Sequence, residues 1–112
     1  MDFYKGLNLA ITVCDKDGKV LYQNDSSLDV NGDARDKNLV DCHNARSWEI
    51  IRHLIDDDVT NAYTISKKGK RKLIYQTPWY EDDDKKIVGG LIEFSIIIPE
   101  DMPHYNRGWF KH

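Results

Sequence analysis

Ala62-Tyr63-Thr64-Ile65-Ser66, Lys72-Leu73-Ile74-Tyr75-Gln76-Thr77-Pro78-Trp79-Tyr80 and Ile87-Val88-Gly89-Gly90-Leu91-Ile92-Glu93-Phe94-Ser95-Ile96-Ile97-Ile98 read as three consecutive strands joined by two polar turns. The strands are rich in β-branched and aromatic residues. Lys67-Lys68-Gly69-Lys70 forms the first turn, with Gly69 placed for positive φ, and the acidic run Glu81-Asp82-Asp83-Asp84 forms the second. Upstream, Ala10-Ile11-Thr12-Val13-Cys14 and Lys19-Val20-Leu21-Tyr22-Gln23 make another strand pair, pivoting on Asp15-Lys16-Asp17-Gly18. A helical middle separates the pair from the meander. This order predicts an α+β domain, a five-stranded antiparallel sheet with helices packed on one face and a pocket between the layers.

Asn24, Asp25, Ser26 and Ser27 can each cap a helix, and Asn31-Gly32 would end the short helix beginning there. Farther on, Trp48, Ile51 and Ile55 recur at helical spacing, with Ile50 and Leu54 widening the apolar face. Ser47 is the expected N-cap, and Asp56-Asp57-Asp58 opposes the dipole at the other end. In the last strand, alternation puts Ile92, Phe94, Ile96 and Ile98 on one face and Glu93 and Ser95 on the other. The apolar set is expected to face the helices and pack on Ile51, Leu54 and Ile55. Pro78 marks a strand end, a bulge or an edge, and Gly89-Gly90 a bulge or the close approach of another group, a helix or a ligand.

The 112 residues fit one domain, 1–112, with a core at about 8–100 and a C-terminal tail at 101–112. A net charge of −3 argues against a nucleic-acid partner, which would need clustered Lys and Arg. The cluster Lys67, Lys68, Lys70, Arg71 and Lys72 surrounds a turn and reads as a solvated, blunted strand edge. No basic segment followed by a long apolar run opens the chain, and no apolar run approaches the roughly 20 residues of a membrane span, so a cytoplasmic protein is expected. Cys14 and Cys42 are too few for a disulfide framework and are read as reduced. Asp41, His43 and Ser47 lack the glycine-flanked elbow of a nucleophile, so no enzyme is expected.

The run Asp15-Lys16-Asp17-Gly18-Lys19-Val20-Leu21-Tyr22-Gln23-Asn24 and the closing meander together resemble a PAS domain over nearly the whole chain. The strings Asn38-Leu39-Val40-Asp41-Cys42-His43, Lys72-Leu73-Ile74-Tyr75-Gln76-Thr77-Pro78-Trp79-Tyr80 and Ile98-Pro99-Glu100-Asp101-Met102-Pro103-His104 resemble those of short, stand-alone bacterial PAS sensor-like proteins. The resemblance implies the strand order 2-1-5-4-3 and a sensory or interaction module with no fixed ligand. Flavin adduct chemistry is not implied, because Cys42 is followed by His43 and Asn44 rather than by the Arg-Phe of the photosensory motif. Haem held through the Cys42-His43 pair is the secondary cofactor reading; the bland one is a structural loop.

Two functions stay open. One is a cytoplasmic sensory module that binds a small ligand and signals through protein contacts, to a second copy and to a separate signalling protein. The other is a ligand-free interaction or dimerisation module with a filled core. For the first, the expected lining is Trp48, Ile51, Tyr75, Trp79 and Phe94, with His43 as the polar group at the mouth. A homodimer would use the apolar Phe3, Tyr4, Leu7 and Leu9.

Overall fold

The computed structural model describes residues 1–35, 37 and 45–108. Its elements are β1 (Ala10–Asp15), β2 (Val20–Gln23), α1 (Asp25–Asn31), α2 (Ala45–Asp57), β3 (Asn61–Lys67), β4 (Lys70–Tyr80) and β5 (Val88–Ile98). The strands form one five-stranded sheet in the order β2-β1-β5-β4-β3, and every neighbouring pair is antiparallel. The expected α+β class, strand count and strand order all hold. No helix among the described residues is long and apolar enough to cross a membrane.

Local chemistry explains the punctuation. The β3–β4 hairpin closes on Lys68 and Gly69, at φ of 52° and 75°, the paired left-handed geometry that matches strand twist. Asn24 caps α1 by accepting from the Ser27 N–H at 3.0 Å, and Gly32, at φ 72°, ends the helix by donating its N–H to Leu28. Pro78 is buried in β4, yet β3 ends its pairing at Asn61 opposite Gln76, so β4 is locally an edge there and loses no ladder bond. Helix α2 begins at Ala45, which puts Ser47 inside the helix rather than at its cap.

The core lies at one end of the sheet, where Ile51, Leu54 and Ile55 of α2 pack on Cys14 and Leu91, with Trp48 and Val88 partly buried beside them. This corrects the expected packing of β5. Leu91 meets the helix, and Glu93 joins it on the same face, whereas Ile92 and Phe94 line a depression on the opposite face with Ile11 and Val13. By strand alternation Ile96 and Ile98 share that outer face. The more apolar set of β5 therefore points away from the helices, and the set containing Glu93 and Ser95 points toward them.

Candidate functional site

The strand register assembles a polar row on the inner face, beneath the helical layer. Gln23 pairs with Thr12, Thr12 with Glu93, Glu93 with Gln76 and Gln76 with Asn61, so one residue from each strand contributes. Gln23 and Gln76 are each only 6% exposed. Burying amides in this way costs stability unless they are bonded. Here Gln23 donates to the Ser27 hydroxyl at 2.9 Å and the Gly32 carbonyl at 3.0 Å, and accepts from the Ala34 N–H at 2.7 Å. No buried side-chain nitrogen or oxygen among the described residues lacks a partner.

On the β3 side the hydrogen bonds have a direction. Asn61 donates to Gln76 at 3.2 Å, and Gln76 donates to Glu93 at 3.3 Å. From the β2 side, Ser27 Oγ accepts from Gln23 at 2.9 Å and from Asn31 at 3.4 Å. It also shares a hydrogen bond with Thr12 Oγ1 at 2.6 Å, in which either hydroxyl can donate, and Thr12 is the cross-strand neighbour of Glu93. The β3 half runs toward the Glu93 carboxylate. Its field is felt at Tyr63, whose phenol is raised above its ordinary pKa by burial first and by the Glu93 charge second.

Beside this carboxylate, Thr12, Cys14, Ile51, Leu91 and Glu93 enclose a cavity of about 20 Å³. That is room for about one water molecule. Any larger occupant requires α2 to lift from Leu91. Burial pushes the Cys14 thiol up to about 11, so at neutral pH it is a protonated, weakly polar wall rather than a nucleophile.

The outer face is different. Asp2, Tyr4, Ile11, Val13, Tyr22, Ile92 and Phe94 line a depression of about 380 Å³. Phe94 meets Tyr75 with ring centroids 6.5 Å apart and planes tilted by 56°. The N-terminal segment flanks this face: Tyr22 donates to Asp2 at 2.6 Å, and Asn24 donates to the carbonyls of Tyr4 and Leu9 at 2.9 and 2.8 Å.

Of the residues expected to line one pocket, Trp48 and Ile51 do lie on α2 over the core. Phe94 and Tyr75 sit on the outer face, away from them. Trp79 lies against Gly89 and Gly90 at a bulge, and its indole N–H reaches across β5 to the Cys14 carbonyl at 2.9 Å. The close approach at the two glycines is thus made by Trp79 of the neighbouring strand, not by the helix or ligand expected there. His43 and Cys42 fall outside the described residues, and with them the haem reading. No group of three or more metal-ligating side chains occurs among the described residues. Sequence reasoning missed Thr12, Gln76, Glu93 and Asn61. The available signal was one polar residue inside each of several apolar strands.

No protein-family model and no curated protein matches the chain. Solved structures do. A C-terminal domain from Streptococcus mutans superposes with a TM-score of 0.69 at 19% identity, covering 85% of this chain and 79% of the other. The PAS domain of histidine kinase ThkA gives 0.66 at 16% identity, covering 80% of this chain and 99% of that domain. A Vibrio cholerae VqmA dimer structure gives 0.64 at 18% identity, covering 86% of this chain and 48% of that one. The fold of this chain is the PAS fold.

Proposed function

We propose that this PAS-fold domain is a non-enzymatic sensory module, in which a small molecule occupies the inner face beneath α2 and the outer face meets a second copy of the chain. The observation that carries the reading is the inverted polarity of the sheet. An ordinary two-layer domain turns its apolar face to its helices and its polar face to water. This sheet places a bonded polar row under the helical layer and an aromatic and aliphatic surface outside it. Buried polar rows specify what binds, and exposed apolar surfaces mark contacts.

The second copy is the occupant favoured for the outer face. Phe3, Tyr4 and Leu7 are 73%, 58% and 41% exposed in the segment whose Asp2 and Tyr4 line the depression, so a symmetric partner would cover Tyr4 together with Phe94 and Ile92. The VqmA structure, of the same fold, is a dimer by its own description. Because Glu93 and Phe94 are consecutive in β5, a shift of that strand at the ligand would be felt at the dimer surface; a separate signalling protein would read the change.

The test is mass spectrometry and an absorbance spectrum of freshly purified protein, before and after denaturation. A small molecule released on denaturation is the expected result. One observation favours the alternative, a ligand-free interaction module: the inner cavity is only about 20 Å³. A chain that leaves purification with no bound molecule, and whose inner face takes up none from a metabolite extract, has that function instead.

A further inference from the structure

We propose that the free edge of β3 docks an extended segment of a different protein, added to the sheet as a further strand antiparallel to β3, with carboxylates at its leading end and apolar residues at alternate positions.

β3 closes one side of the sheet and pairs only with β4, from Asn61 to Lys67, with no bulge. Every second residue of an edge strand turns its N–H and C=O away from its neighbour. Among the described residues, no backbone group bonds to β3 on that side. Proteins guard such an edge with charge, proline or a bulge, yet Ala62-Tyr63-Thr64-Ile65-Ser66 has none of these and is exposed throughout. Tyr63 and Ile65 share one face at 43% and 36% exposure, so apolar side chains of an added strand would pack beside them.

Charge stands only at the ends. Lys67, Lys68, Lys70 and Lys72 make no ion pair among the described residues, while Arg71 donates to the Glu100 carbonyl at 3.1 Å. Before the strand comes Asp56-Asp57-Asp58, whose carboxylates meet Arg52, His53 and the Tyr80 hydroxyl. An antiparallel strand starts at the basic end of β3. Carboxylates there are attracted, and carboxylates at its far end are repelled. A second copy of the chain is the competing occupant. Contact through this edge as well as the outer face would join dimers into larger assemblies, so the dimer reading leaves the edge to a different chain.

The probes are end-capped synthetic peptides: Asp-Glu-Thr-Val-Thr-Val-Thr-Lys, its exact reversal, and the first with Pro for its central Thr. Each is titrated to millimolar concentration into the full chain at low salt, where ion pairs are least screened, and followed by amide resonances and hydrogen exchange. The first should shift the β3 amides, slow exchange at alternate amides between 61 and 67, and bind about threefold to tenfold tighter than the reversal, the size that a few exposed ion pairs give. The proline peptide, which lacks a ladder donor, should bind far more weakly. Lys67→Glu with Lys70→Glu, both on the surface, should erase or invert the preference for order.

Equal binding of the forward and reversed peptides would overturn the inference, as would a proline peptide that binds as well as the first. Shifts confined to 67–72 would mark a plain anion contact and overturn it too, and so would binding by none of the peptides. Assemblies larger than a dimer in the parent chain, broken by Lys67→Glu with Lys70→Glu, would give the edge to a second copy instead. The peptide comparison is complete in the parent chain and needs neither the inner-face ligand nor the outer-face contact, so its failure leaves that reading standing.

Discussion

Glu93 and Phe94 are consecutive in β5 and serve opposite faces of the sheet: Glu93 accepts from Gln76 beneath α2, at 3.3 Å, while Phe94 meets the Tyr75 ring outside, at 6.5 Å between centroids. One strand thus carries both the acceptor of the inner row and the aromatic centre of the outer surface. Stability, association and binding should separate along that line.

Leu91 is 3% exposed and touches the α2 cluster, whereas Phe94 is half-buried on the other side. Leu91→Ala should therefore cost about 2–5 kcal/mol, the usual range for deleting a packed aliphatic side chain. Phe94→Ala should cost less than Leu91→Ala despite removing more atoms. Urea denaturation of the two variants measures the order; the reverse order would return Phe94 to the core.

Asn24, fully buried, joins three parts of the chain. Its Oδ1 accepts from the N–H groups of Ile11 and Ser27 at 2.9 and 3.0 Å, and its Nδ2 donates to the Tyr4 and Leu9 carbonyls. Asn24→Ala strands these buried backbone groups and removes a cap, for a loss of about 2 kcal/mol or more. Asn24→Asp keeps the two accepted bonds but sets an oxygen against two carbonyls. Thermal unfolding with amide resonances should show the N-terminal segment released in the Asp variant while α1 stays capped.

A Cβ at Gly89 would overlap the Trp79 ring, whereas one at Gly90 would overlap both that ring and the Cys14 carbonyl. Either Ala substitution should cost roughly 1–3 kcal/mol by overpacking. In a Trp79→Ala background the Gly89→Ala penalty should largely vanish. The Gly90→Ala penalty should persist, because the backbone carbonyl cannot be removed. A double-mutant cycle by denaturant unfolding tests both statements.

Docking of the N-terminal segment should depend on pH at both extremes. The Tyr22 hydroxyl first, and the Tyr4 N–H second, hold Asp2 below its ordinary carboxylate value. A depressed folded pKa contributes fully above the unfolded value of about 4 and is lost as pH falls through the folded one. Tyr22 is pushed up to about 12, chiefly by the same bond. Its contribution is full below the ordinary phenol value of about 10 and disappears as pH climbs toward the folded one. The Tyr4 amide resonance should report both limbs, and Tyr22→Phe should abolish the alkaline one.

Much of the architecture is legible in the residues themselves. β-Branched runs, the Lys68-Gly69 turn and the Asn24 cap are local signals, and they specify the strands, the meander and the start of α1 without reference to anything distant. The face of β5 is not a local property. Alternation separates Ile92, Phe94, Ile96 and Ile98 from Leu91, Glu93 and Ser95, but which set lies inside depends on what the helix meets, and here it meets Leu91. The usual assumption, apolar side inward, fails because the inner face carries a polar row. That row needs the register of all five strands, and register is set by long-range pairing that no single segment reveals. Trp79 looked like pocket lining because an indole suits a ligand; its use is to span the two glycines and bond Cys14.

Native mass spectrometry of the parent chain, Glu93→Gln and Phe94→Glu tests the division of the sheet into a ligand face and a partner face most directly, because one spectrum reads both stoichiometry and bound mass. The account predicts a liganded dimer for the parent, a dimer with ligand weakened or lost for Glu93→Gln, and a monomer near 13.1 kDa plus ligand for Phe94→Glu. Loss of the ligand in Phe94→Glu with retention in Glu93→Gln, or a parent chain that is monomeric and carries nothing, would contradict it.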